Sequence, residues 1–261
     1  MQRFMFTIFD RVYSTVRHFR SSKVSSSLEG GRETIVSEGN SDRTLVAFLP
    51  SILMAGRYLG NQILSEAKNR ELSVIAREIS QSTVQPTPQG TRNAMDAVYS
   101  AVSEKVCSLS LNPENTLVLG ESIGCCHASR FAAELGTKRL ILALPGSKLA
   151  ECIFESCATR GEAREAQRQG FGLEDYQRAL LVYDPLLYVP QISGRVIIPL
   201  ATHDIMIPTR RGQELVDAFQ AESENRGDLK VTPQIYRYHD HCSGAFRFTR
   251  NFGNILAGLL S

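Results

Sequence analysis

Net charge is the first thing this sequence lacks. Lys and Arg number 29 against 27 Asp and Glu, a formal balance of +2 over 261 residues. No field of one sign is available to gather nucleic acid, and that partner class is set aside. Long apolar runs are missing as well, since nothing approaches the ~18 residues that a bilayer-spanning helix requires. Paired cysteines are the third absence. Of the six cysteines, Cys125 and Cys126 are adjacent, while Cys107, Cys152, Cys157 and Cys242 stand apart with no CxxC or zinc-type spacing. They read as reduced, mostly buried thiols of an intracellular protein, not as a disulfide framework or a metal centre. The chain is long enough to bury roughly three quarters of its unfolded surface, so one large domain can form a core without covalent staples.

The first forty residues differ from the rest. Phe4, Met5, Ile8, Phe9, Val12, Tyr13 and Val16 recur every three to four positions, and Arg3, Arg11, Arg17, Arg20 and Lys23 are opposed only by Asp10. That pattern predicts a basic amphipathic helix. The Ser-rich stretch from Ser21 to about Asn40 predicts a linker, which gives a leader over 1–40 and a domain over 41–261. Four readings of the leader stay open: an organelle transit peptide, a helix making peripheral membrane contact, a secretion signal of a delivered effector, or a helix packed on its own domain. Localisation follows the same division, cytoplasmic or organelle-targeted, with membrane-peripheral or delivered as alternatives. A secretory signal peptide is excluded because charges interrupt the apolar segment before an h-region can form.

Beyond Asp42 short apolar runs alternate with helical patterns. Thr44 to Leu49, Ser73 to Ile79, Thr116 to Leu119, Arg139 to Leu144, Arg195 to Ala201 and Thr232 to Tyr238 read as strands, and Glu33 to Ser37 offers one more. Helices are expected over Met54 to Arg70, Thr91 to Val106, Ile123 to Leu135, Arg210 to Glu224 and Ala245 to Leu260. Several strands are apolar on both faces, the signature of parallel strands covered on each side. The fold class is therefore α/β, a mostly parallel central sheet with helices on both faces. The charged, helix-rich segment from about 146 to 185 breaks the alternation. It reads either as a small helical lid or as an ordinary helical connection.

The pentapeptide Gly120-Glu121-Ser122-Ile123-Gly124 directly follows an apolar strand and directly precedes a helix. A nucleophile on so sharp a turn is held in a strained conformation, and small residues two before and two after it relieve the crowding. Ser122 would project from the C-terminal edge of the sheet at the positive end of the next helix. A serine hydroxyl needs a base, and the base needs an orienting group. Asp204, at the end of the strand RVIIPLA and before a proline that opens a helix, suits the acid, although it also suits a turn or cap residue. Two histidines compete for the base after the last strand, His241 and His239. His241 is preferred because His239 is close enough to belong to the strand itself. His127 packs within the nucleophile helix on this reading, and His203 points away from Asp204.

On these residues the chain from about Arg43 to Ser261 resembles the α/β-hydrolase superfamily. The likeness rests on the nucleophile elbow, the segment Asp204 to Pro208 after its strand, Tyr183 to Val189 before it, and Tyr236 to His241 at the end. The resemblance implies Ser122, Asp204 and His241 as a catalytic triad, with the N–H of Ile123 as one oxyanion donor and that of Ser51 or Ile52 as the other. The chain departs from the superfamily's glycine-rich oxyanion run, carrying Leu49-Pro50-Ser51-Ile52 there, and Pro50 has no N–H to give. Cleavage of carboxylic esters or thioesters follows as the implied activity, on a small-molecule ester, a lipid or an acylated substrate, with no cofactor and no metal. A non-catalytic scaffold of the same fold and an acyltransferase using the same triad are the alternatives, and a serine peptidase has less to support it because no propeller or large cap is visible.

Overall fold

The sheet is built from β1 (Ile35–Ser37), β2 (Thr44–Pro50), β3 (Ser73–Ile79), β4 (Thr116–Glu121), β5 (Arg139–Ala143), β6 (Gly194–Ala201) and β7 (Leu229–Tyr236). This is a computed structural model that describes residues 35–37, 42–50 and 53–260. The amphipathic leader, most of the linker, and Ser51 and Ile52 lie outside the described residues. The strands pair in the order β1-β3-β2-β4-β5-β6-β7. β1 runs antiparallel to β3, and the other pairings are parallel. Parallel strands all end on the same edge, so the loops after β4 and β6 meet there.

Every residue of β2 and β4 is buried. Alternate side chains feed two cores because the period along a strand is two. Val46, Phe48, Val118, Leu140 and Leu142 face one side, which is covered by α2 (Pro88–Leu109) and α3 (Gly124–Leu135). Leu45, Ala47, Leu117, Leu119, Ile141 and Ala143 face the other, covered by α1 (Leu53–Asn69) and α8 (His241–Leu260). From α8 a stripe of Phe248, Phe252, Ile255, Leu256 and Leu259 enters that second core at helical spacing. Among the described residues no helix is long and apolar enough to cross a membrane.

Three elements differ from the sequence reading by three or more residues at an end. The last strand begins at Leu229 instead of Thr232 and stops at Tyr236. Its edge position leaves it half solvated, so its apolar signal is weak, and Pro233 is tolerated there. The last helix begins at His241, four residues before the expected Ala245. Asp240 and Ser243 form a reciprocal cap: the Asp240 carboxylate accepts from the Ser243 N–H at 2.8 Å, and the Ser243 hydroxyl accepts from the Asp240 N–H at 3.0 Å. α2 likewise starts early, at Pro88, with the Thr87 hydroxyl accepting from the Gly90 N–H.

The segment between β5 and β6 folds into α4 (Leu149–Glu155), α5 (Arg160–Arg168) and α6 (Leu173–Leu180), followed by 3-10 turns at Leu181–Tyr183 and Pro185–Gln191. It is knitted into the first core through buried Ile153, Tyr176, Leu180 and Tyr183. The Tyr176 hydroxyl donates to the Gln85 carbonyl at 2.5 Å, and Arg92 donates to the Ala179 carbonyl at 2.9 Å. A buried arginine, Arg211, on α7 (Thr209–Asn225) joins Glu155 of α4 to Glu214 of its own helix. These helices are thus part of the domain's body at their base.

His127 lies on α3, fully buried, with its ring 5.4 Å from that of Phe48, 5.2 Å from Tyr183 and 6.3 Å from Tyr99. Neither ring nitrogen finds a hydrogen-bond partner. Burial, with the Arg130 charge adding, pushes its pKa down from 6.5 to about 3. The fold therefore holds His127 neutral, whereas the unfolded chain takes up its proton below pH 6.5. The stability this neutrality carries is fully present above pH 6.5 and drains away as pH falls toward 3, at about 1.4 kcal/mol per pH unit. His127→Leu is expected to flatten the fall of the urea midpoint between pH 6.5 and 4.5. Parallel falls in the two proteins would contradict this.

Candidate active site

At the end of β4 the chain turns into α3 within two residues. Ser122 sits in the left-handed region, φ 53°, between a strand and a helix. Its N–H donates to the Ala143 carbonyl of β5 at 2.9 Å, and its carbonyl accepts from the Cys125 N–H at 3.0 Å. Those two bonds over-determine a conformation that costs a non-glycine residue about 1–3 kcal/mol. The flanking glycines are required by contact. A Cβ on Gly120 would lie 2.7 Å from Ala128 Cβ and from Cys125 Cα, and one on Gly124 would collide with the Phe48 carbonyl of β2. The sharp elbow expected from the sequence is what forms, and Ser122 is 6% exposed at its tip.

Ile123 opens the helix with φ −57° and ψ −25°. Among the described residues no hydrogen bond uses its N–H, which leaves a helix-start donor beside the serine. For the second expected donor, Ser51 or Ile52, only the approach can be given. β2 ends at Pro50, and its Phe48 is in register with Gly120.

Asp204 follows β6 and is buried. One of its carboxylate oxygens, Oδ1, accepts from the N–H groups of Met206 at 2.9 Å and Ile207 at 2.8 Å, which fixes the turn leading to α7. The other, Oδ2, is 2.6 Å from His241 Nδ1. One oxygen thus serves the turn weighed for Asp204, and the other meets an imidazole. His241, the first residue of α8, is buried too. Burial alone would favour its neutral form, but the Asp204 carboxylate outweighs this, Glu121 and Asp240 add to it, and the pKa is raised above 6.5.

His203 and His239 make their hydrogen bonds elsewhere. His239 hydrogen-bonds through Nδ1 to the carbonyl of Arg237 at 2.7 Å, in the turn after β7. His203 is exposed, with Nδ1 3.0 Å from the Thr202 hydroxyl. The structure brings acid and imidazole into contact and sets the serine elbow on the same sheet edge. Among the described residues no hydrogen bond joins the Ser122 hydroxyl to His241. Such bonds are often long before a substrate is bound.

Glu121 escaped the sequence reading. It is 4% exposed at the C-terminal end of β4, and burial raises its pKa to about 7 while the nearby His241 opposes the rise. An acid ending an otherwise apolar strand was its visible signal. Cys125 and Cys126 are buried free thiols, and burial holds both well above the usual thiol range, so neither offers a thiolate near neutrality. Among the described residues no group of three or more His, Cys, Asp or Glu is placed to hold a metal ion.

No protein-family model matches the chain, and no curated protein matches it. Solved structures do. Carboxyl esterase 2 from the mycorrhizal fungus Tuber melanosporum superposes with a TM-score of 0.57 at 15% identity over 95% of this chain and 98% of that one. The capsule O-acetyltransferase of Neisseria meningitidis serogroup A gives a TM-score of 0.57 at 14% identity over 85% and 89% of the two chains. A puromycin-hydrolyzing peptidase of Mycobacterium tuberculosis gives 0.58 at 13% identity over 86% of this chain. This chain spans 35% of that peptidase's length. At such identities the likeness is one of fold, and the chain has the α/β-hydrolase fold.

Three substitutions at two positions test the elbow. Ser122→Gly relieves the left-handed strain and is expected to raise stability by about 1 kcal/mol in urea unfolding, whereas Ser122→Ala leaves it nearly unchanged. Equal stabilities for the two variants would speak against a strained turn. Gly124→Ala, which drives a methyl into the Phe48 carbonyl, is expected to cost about 2–4 kcal/mol by the same measurement.

Proposed function

We propose that the chain is a serine hydrolase that cleaves carboxylic esters or thioesters through an acyl-enzyme intermediate. The observation that carries this reading is the buried 2.6 Å contact between His241 Nδ1 and Asp204 Oδ2, on the sheet edge where the Ser122 elbow ends β4. An imidazole held through Nδ1 leaves Nε2 to act. Nε2 takes the Ser122 proton as Oγ bonds to the acyl carbon, and the carbonyl electron pair moves onto oxygen. The Ile123 N–H and, on this proposal, that of Ser51 or Ile52 receive the oxyanion. His241 then returns its proton to the leaving alcohol or thiol as the acyl bond to that group breaks. Water repeats the sequence in reverse roles and frees the acid.

The helices α4 to α6 are assigned to the lid of the acyl site. Phe154 within α4 and Phe171 between α5 and α6 are part-buried apolar side chains of this segment, of a kind that suits an acyl chain. Acyl transfer to an acceptor other than water uses the same groups, and the likeness to an O-acetyltransferase keeps that reading beside the first.

A p-nitrophenyl ester series of increasing chain length, run with and without added alcohols, tests both. Turnover is expected in wild type and is expected to fall by on the order of 10³-fold or more in Ser122→Ala. Turnover equal in the two proteins would sink the proposal, and product partitioning to the alcohol would favour the transferase. The base must be neutral to accept a proton, and its pKa is raised, so kcat/KM is expected to climb with pH along an acid limb centred above 6.5. Asp204→Asn removes the group that raises it most. The limb should then move to lower pH while kcat drops by on the order of 10³-fold or more. A limb unmoved by that substitution would assign it to another group.

A further inference from the structure

We propose that Glu121 is a second carboxylate serving the imidazole: a positioning residue, buried beneath the first turn of α8, that stabilises the positive charge His241 gains when it takes the serine proton. The inference rests on the serine-hydrolase reading above and names a residue that reading does not use.

The geometry comes from the sheet. Period-two alternation along β4 places Leu117, Leu119 and Glu121 on one face. Leu117 and Leu119 belong to the core that holds Phe248 and Phe252 of α8, so Glu121 continues that face toward the C-terminal edge. It is in register with Ala143 of β5. The next residue, Leu144, packs with Ala245, and a Cβ on Gly244 would lie 3.1 Å from Leu144 Cδ2. Gly244 and Ala245 are in the first turn of α8, the turn that His241 opens. Glu121 thus ends β4 on the face and edge where the first turn of this 20-residue helix packs, and its charge bears on His241.

A carboxyl group buried to this degree without a partner is costly. Among the described residues no hydrogen bond reaches the Glu121 carboxyl, so a neighbouring cation is what would favour its ionised form, and His241 acts on it in that sense. The groups that bear on His241 are Asp204 from the loop after β6, Glu121 from β4, and Asp240 from its own helix cap. Glu121 in turn acts on His241 and on the thiols of Cys125 and Cys242. Of these, His241 is the cation available to it. Burial places the Glu121 pKa at about 7, so its charge changes in the range where the base works. Asp204 orients the imidazole through a hydrogen bond, and Glu121 acts on the charge through space.

The test is the imidazole titration of His241, followed by NMR across pH in the full chain for wild type, Glu121→Gln and Glu121→Asp, together with ester turnover. Glu121→Gln is expected to lower the His241 midpoint by about one pH unit, the scale of one nearby buried charge. The acid limb of kcat/KM should follow it, and kcat should fall about tenfold with KM little changed. Glu121→Asp, which keeps the charge, should hold the midpoint near the wild-type value. An unmoved midpoint in Glu121→Gln, or the same displacement in both variants, overturns the proposal. Should Glu121→Gln fail to fold, wild type still decides: coupled groups titrate in two steps, so the His241 resonances must show a second inflection near neutrality, and a single inflection overturns the coupling. A shifted midpoint in a protein that turns over no ester would leave the coupling standing and remove the serine-hydrolase reading. Turnover with an unmoved midpoint would do the reverse.

Discussion

One carboxylate with two tasks organises the working edge of this molecule. Asp204 uses one oxygen to fix the turn into α7 and the other to hold His241, so the position of the imidazole is tied to the backbone after β6 and not only to its own helix. α8 is anchored at its other turns by aromatic and aliphatic side chains packed on the sheet. The Asp240 and Ser243 cap then sets where the helix begins, which puts His241 at its first position. Remove the carboxylate, and the helix would keep its packing while the imidazole lost its orientation.

The serine side of the edge depends on a different constraint. A left-handed serine is unfavourable by itself, and it persists because β5 receives its N–H while Gly120 and Gly124 let the helix close on β2 and β4. The same close approach brings Phe48 against the nucleophile helix, and behind it His127 is enclosed among Phe48, Tyr99 and Tyr183. Packing behind the elbow and strain at its tip are thus two sides of one arrangement. The histidine buried there is held in its neutral form by that burial.

How much of this could be read from the sequence follows from how local each signal is. The elbow was legible because its glycines, strand and helix are consecutive. Asp204 and His241 were legible as chain-order candidates, and the choice between His241 and His239 turned on where β7 ended. That boundary was hidden because an edge strand shows little apolar periodicity. The early start of α8 was written in Asp240 and Ser243, a capping pattern with serine where glutamate is more usual. Glu121 was not legible as a site residue. Its place at the end of an apolar strand hinted at burial, but its nearness to His241 depends on β4 and α8 meeting across 120 positions of chain, which no local pattern records. The helices between β5 and β6 were foreseen as a unit, but their anchoring through Arg211, Tyr176 and Tyr183 came only with the fold.

The central claim is that the strained hydroxyl at the elbow is made nucleophilic by the His241–Asp204 pair. Reaction of the full chain with a fluorophosphonate, followed by peptide mapping, tests it most directly. The account predicts a phosphonyl adduct on Ser122 that forms in wild type and is lost or greatly slowed in His241→Ala. An adduct forming at the same rate without His241, or appearing at another residue, would contradict it.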